Sequence, residues 1–130
     1  MPRLVLRAAR GNNAFIVAIP ELTRRNAERL LEAFCERRVP PHVRDKVRMS
    51  FATRGNSVTL VEHRPVFMRP DTWTDIGIAQ FRFDATSTRW KLYCADRNGR
   101  WHRYTRKRPA ADIAALLREV DRDPTCIFWG

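Results

Sequence analysis

A length of 130 residues is that of one domain, and 25 lysines and arginines against 14 acids leave the chain at a net +11. Three cysteines (Cys35, Cys94 and Cys126) form no C-x-x-C pair and no apolar run is long enough to span a bilayer, which sets aside a disulfide scaffold and a membrane helix. A charge of this size favours polyanionic partners, although arginine supplies 22 of the 25 cations, a bias that a GC-rich genome also produces.

Residues 1–19 carry Arg3, Arg7 and Arg10 and no acid. The run Ala14 to Pro20 is short for a secretory signal, so an N-terminal arm or an extra strand is expected. The single folded domain is then 20–130. In PELTRRNAERLLEAFCERRVPP, Ala27, Leu30, Leu31 and Phe34 recur at helical spacing, with Pro20 or Thr23 to start the helix and Pro40 to end it.

VRMSFATRGNSVTLVEHRP follows, with Gly55 and Asn56 between two β-rich runs, the signal for a two-residue hairpin. That turn predicts that Arg54 faces Ser57, Phe51 faces Leu60, Met49 faces Glu62 and Val47 faces Arg64. Alternation then puts Val47, Met49, Phe51, Val58 and Leu60 on one face and Arg44, Lys46, Arg48 and His63 on the other. Glu62 and Arg64 fall on the apolar side, where an ion pair at the rim of the core is expected and a functional carboxylate or anion clamp is the alternative.

VFMRPDTWTDIG is rich in turn residues and reads as a loop around an edge. IAQFRFDA alternates as a third strand, with Phe81 and Phe83 inward and Arg82 outward. RWKLYCADRNGRWHRY reads as a second hairpin turned by Asn98 and Gly99. With a two-residue turn, Tyr93 faces Tyr104, Ala95 faces His102 and Lys91 faces Arg106, and Trp90, Leu92, Cys94 and Trp101 are buried. A three-residue turn with Gly99 left-handed shifts the pairing by one and places Trp101 beside Tyr93. The first register is preferred because it buries both tryptophans and leaves both phenols wet. PAADIAALLREVD is the last helix, with Pro109 in its first turn and Ile113, Leu116, Leu117 and Val120 inward, and Phe128 and Trp129 are expected to fold back on the core. All three cysteines read as buried thiols in a reducing cytoplasm.

The string TLVEHRP, the block AQFRFDATSTRWKLYCADRNGRWHRY, the helix ADIAALLREVDRDP and the ending FWG resemble the small bacterial proteins grouped as domain of unknown function 3024, over about residues 20 to 130. The resemblance implies a small bacterial, cytoplasmic protein and carries no activity. It marks Glu62, Arg64, Trp90, Trp101 and Trp129 as positions that bear the pattern.

No Walker loop, G-x-G-x-x-G, H-E-x-x-H or G-x-S-x-G is present. The histidines and cysteines lack the paired spacings of a structural zinc site, so neither metal nor cofactor is expected. Asp71, Asp75 and Asp84 read as loop and turn acids, and no catalytic residue is assigned. The expected architecture is α+β: one domain, an antiparallel sheet of about five strands, and an N-terminal and a C-terminal helix packed on one face. The other face would carry Arg44, Lys46, Arg48, His63, Lys91, Tyr93, Tyr104 and Arg106, with His102 beside them. This arrangement leads to a non-enzymatic protein that holds nucleic acid, single strands in preference, by phosphate contacts and base stacking. The alternatives are a protein-interaction module in a regulatory or toxin–antitoxin complex, with an acidic partner on the same face, and an enzyme centred on Glu62 and Arg64.

Overall fold

The structure, a computed structural model, describes residues 18–130. The expected arm or extra strand falls outside the described residues except for its last two, of which Ile19 is buried in the core. Helix α1 spans Glu21–Arg38 and buries Ala27, Leu31, Phe34 and Cys35. Pro20 precedes it, and Val39 caps it by donating its N–H to the Cys35 carbonyl. A short 3-10 turn, Pro41–Val43, leads into five strands: β1 (Arg48–Arg54), β2 (Ser57–Val66), β3 (Arg69–Asp84), β4 (Arg89–Ala95) and β5 (Trp101–Arg103). They pair in chain order as one antiparallel meander. Helix α2 (Ile113–Arg122) closes the chain. Its N-terminus is capped by Asp112, whose carboxylate accepts the Ala114 N–H, so Pro109 lies before the helix and not in its first turn.

Both helices cover one side of the sheet. Val58, Leu60, Phe81, Phe83, Trp90 and Leu92 from the strands and Leu31, Phe34, Ile113, Leu116 and Val120 from the helices form one core. Phe83 and Trp90 meet edge to face with ring centroids 5.2 Å apart. The chain end folds back as expected. Asp123, left-handed at φ 45°, accepts the N–H groups of Phe128 and Trp129, and the Trp129 indole donates to the Val120 carbonyl at 2.8 Å. Cys35 and Cys94 are buried thiols, while Cys126 is exposed, contrary to expectation. Burial, with Glu32 and Glu36 adding to it, raises the Cys35 thiol to about 11.

The first hairpin has the expected pairs Arg54/Ser57, Phe51/Leu60 and Met49/Glu62. Only Gly55 takes a positive φ, 59°, so Gly at the first turn position suffices for the twist. The segment after Pro65 is not a loop. Phe67 and Met68 make a tight turn and Arg69–Asp84 is one long strand, paired with β2 up to Val66/Arg69. Trp73, Thr72, Thr74 and Ile76 suit a pleated strand, and Pro70 is tolerated at the irregular end of the ladder.

The second hairpin takes the alternative register. Asp96 and Arg100 bracket a three-residue loop in which Gly99 has φ 80°. The Asp96 carboxylate accepts the N–H groups of Asn98 and Arg100 at 2.8 and 2.9 Å, which fixes a type I turn that Gly99 then exits left-handed. Asp96 decides the register, and everything C-terminal to it shifts by one residue. Tyr93 therefore faces Arg103, Cys94 faces His102 and Ala95 faces Trp101.

Candidate nucleic-acid interface

The helix-free face of the sheet follows from the register. Across the strands its rows are Arg54, Ser57, Arg82 and Lys91; Ala52, Thr59, Gln80, Tyr93 and Arg103; Ser50, Val61 and Gly77; and Arg48, His63 and Asp75. Trp101 joins them from β5, its ring lying over Gly77, where an added Cβ would sit 3.0 Å from Cζ2. Cations and aromatic rings are thus placed on one wet surface. A ladder of hydrogen bonds orients one of them: Gln80 donates to Thr59 at 2.9 Å and accepts from Arg82 Nε at 2.7 Å, and the Arg82 guanidinium lies 3.9 Å from the centre of the Tyr93 ring. Arg48 does the same 4.1 Å over Trp73, with its Nε donating to the Arg44 carbonyl.

Several expected members are elsewhere. Tyr104 is buried on the core side, because the shifted register turns it inward, and its hydroxyl donates to Glu119 at 2.8 Å. Trp101 is correspondingly outside and not in the core. His102 shares the parity of Cys94, on the helix side of the edge strand, and contacts Asp96 at 2.7 Å. Arg106 is exposed in the coil after β5 and does not face Lys91, which faces Arg82 and pairs with Asp84 at 3.3 Å. Arg44 and Lys46 are exposed in the turn before β1 and are not strand residues. Arg48, His63, Lys91 and Tyr93 lie on the expected face. Arg54, Arg82, Arg103, Trp73 and Trp101 belong to it as well; alternation from the observed turns identifies all but Trp73, which lies between two register shifts of the β2–β3 ladder.

Glu62 and Arg64 are on the helix side and paired: Arg64 Nε and Nη2 donate to the two carboxylate oxygens at 3.0 and 3.3 Å. That bond raises the Arg64 guanidinium above its ordinary value. The pair lines a cleft of about 380 Å³ with Ile76, Ile78, Phe128 and Trp129, while Arg38 stacks 3.9 Å over Trp129 and pairs with Asp121.

One cluster has no precursor in the sequence reading. Ser50 Oγ lies 2.7 Å from His63 Nε2, and His63 Nδ1 lies 2.7 Å from Asp75 Oδ1. Three neighbouring strands contribute one residue each. Taking Asp75 for a loop acid hid the arrangement, since only the β2–β3 ladder brings it opposite His63. Among the described residues no group of three or more His, Cys, Asp or Glu side chains could hold a metal ion, and no helix is long and apolar enough to cross a membrane.

No curated protein and no solved structure matches this chain. A family model, the domain of unknown function DUF3024, matches residues 19–130, which contain both helices, the whole sheet, the cleft and the exposed face. The chain belongs to the DUF3024 family.

Proposed function

We propose that the protein binds single-stranded nucleic acid on the exposed face of its sheet. The observation that supports this most is the pairing of cation with ring on that surface, Arg82 on Tyr93 and Arg48 on Trp73. Arg54, Arg82 and Arg103 contribute positive charge for phosphates, and Tyr93 and Trp101 offer ring surface to unpaired bases at about 1 to 3 kcal/mol per base. A flat sheet presents these groups to a strand laid across it, whereas a duplex groove would need a projecting helix or ribbon. The setting we infer is the reducing cytoplasm of a bacterium, in keeping with three free thiols.

The test is purification of the whole chain without nuclease, followed by absorbance at 260 and 280 nm. Co-purifying nucleic acid, released by nuclease, supports the reading; protein free of nucleic acid that also fails to retain a labelled single strand opposes it. One feature favours a second reading, a module for protein contact. Phe67 and Met68, 91% and 78% exposed, sit side by side at the tip of the β2–β3 arm, an apolar pair that a protein partner would cover. A stoichiometric protein that stays bound through nuclease treatment would select it.

A further inference from the structure

We propose that Ser50, His63 and Asp75 form an acyl-transfer site in which Ser50 is the nucleophile, acting on small carboxylic esters. This goes beyond nucleic-acid binding and does not depend on it. The two contacts are each 2.7 Å and use different ring nitrogens, Nε2 toward the hydroxyl and Nδ1 toward the carboxylate. With its Nδ1–H donated to Asp75, the imidazole presents a lone pair at Nε2 to the Ser50 proton. Nucleophile, base and orienting acid are in the relation that activates a serine.

The sheet holds all three in place. Arg48 and His63 are cross-strand partners, as are Ser50 and Val61, and His63 and Asp75, so the cluster rests on paired backbone and not on loops. The environment also supplies an oxyanion donor. The two-residue turn makes Arg54 and Ser57 a hydrogen-bonded pair, and alternation makes Ser50 and Val61 another. The N–H of Phe51 then points away from β2, at an edge with which no described strand pairs. It is adjacent to the nucleophile, has no hydrogen-bond partner among the described residues, and is the donor we assign to a developing negative charge. Beyond Ser50 the row continues through the small residues Val61 and Gly77 to the Trp101 ring. The indole fills the space over Gly77, so an acyl or aryl group on Ser50 would rest along Val61 against the exposed part of that ring.

In the reaction, Ser50 Oγ attacks the ester carbonyl carbon as its proton passes to His63 Nε2, forming the C–O bond and an oxyanion. Collapse breaks the bond to the leaving oxygen, which takes the proton from His63, and leaves an acyl-Ser50. Water then gives a proton to His63 and attacks the acyl carbon. The carboxylic acid departs and the proton returns to Ser50 Oγ.

The test uses a fluorophosphonate probe and, separately, p-nitrophenyl acetate, on the full chain. One adduct that maps to Ser50, and not to Ser57 or Ser87, is expected, together with ester hydrolysis. Replacement Ser50→Ala abolishes both, and His63→Gln slows labelling at least about a hundredfold, the usual contribution of a general base. Asp75→Asn slows it while circular dichroism shows folded protein. No adduct on Ser50, or an equal labelling rate in folded His63→Gln protein, would overturn the proposal. Nucleic acid takes no part in either assay, so its outcome is independent of the binding reading.

Discussion

Tyr104 donates its phenolic hydrogen to Glu119 across the interface between sheet and α2, with Oη and Oε2 2.8 Å apart and both residues buried. This bond ties the segment just after β5, the strand whose register moved, to the helix that closes the core. Removing the hydroxyl strands a buried carboxylate, so Tyr104→Phe is expected to cost about 1 to 3 kcal/mol in chemical denaturation. The paired change Tyr104→Phe with Glu119→Met, which leaves no unpaired polar group, is expected to recover most of that.

The same bond predicts a dependence on alkaline pH. Burial, and then the adjacent Glu119, raises the Tyr104 phenol above its ordinary value of 10.0. Above that value the unfolded chain loses this proton before the folded one does. The contribution is therefore complete below about pH 10 and is lost as pH rises through the folded value. Thermal midpoints measured between about pH 9 and pH 11 should fall more steeply for the native chain than for Tyr104→Phe.

The second hairpin makes a separate claim about backbone. Gly99 has φ 80° and open space where a Cβ would be, so Gly99→Ala suffers only from conformation, about 1 to 2 kcal/mol. Gly99→Asn should cost less. Gly77→Ala acts differently, by pushing a methyl against the Trp101 ring. It should shift the indole and redden tryptophan fluorescence, a response that the two-residue register, with Trp101 in the core, would not give.

Much of this architecture was legible in the sequence because it is written locally. Helical spacing in α1 and α2 and the Gly55–Asn56 turn need no distant partner to be read, and the first hairpin's register follows from the turn alone. The second hairpin also carried its answer locally, but in Asp96, whose side chain competes for the loop N–H groups and outweighs the burial of Trp101 that favoured the other pairing. The long β3 was obscured by Pro70 and Asp71, which are turn formers in isolation and are carried here by pairing with β2. The Ser50, His63 and Asp75 cluster was invisible for a different reason. Its members are 13 and 12 positions apart and meet only when three strands are laid side by side.

The proposed interface predicts graded effects of single cations. Arg103 faces Tyr93 across β4 and β5 and Arg82 stacks on its ring, and each alanine replacement should weaken single-strand binding and reduce the magnitude of the salt slope by about 0.7. Arg118, exposed on α2 on the other side of the molecule, should have no such effect.

The most direct test of the account is the affinity of a labelled single strand for the whole chain, measured by fluorescence anisotropy from about 50 to 200 mM salt. Binding on the exposed sheet face predicts a linear fall of log affinity with log salt, and a tenfold or greater loss when Arg82 and Tyr93 are both replaced by alanine. Absent binding at the lowest salt, or equal affinity in the folded double variant, would contradict it.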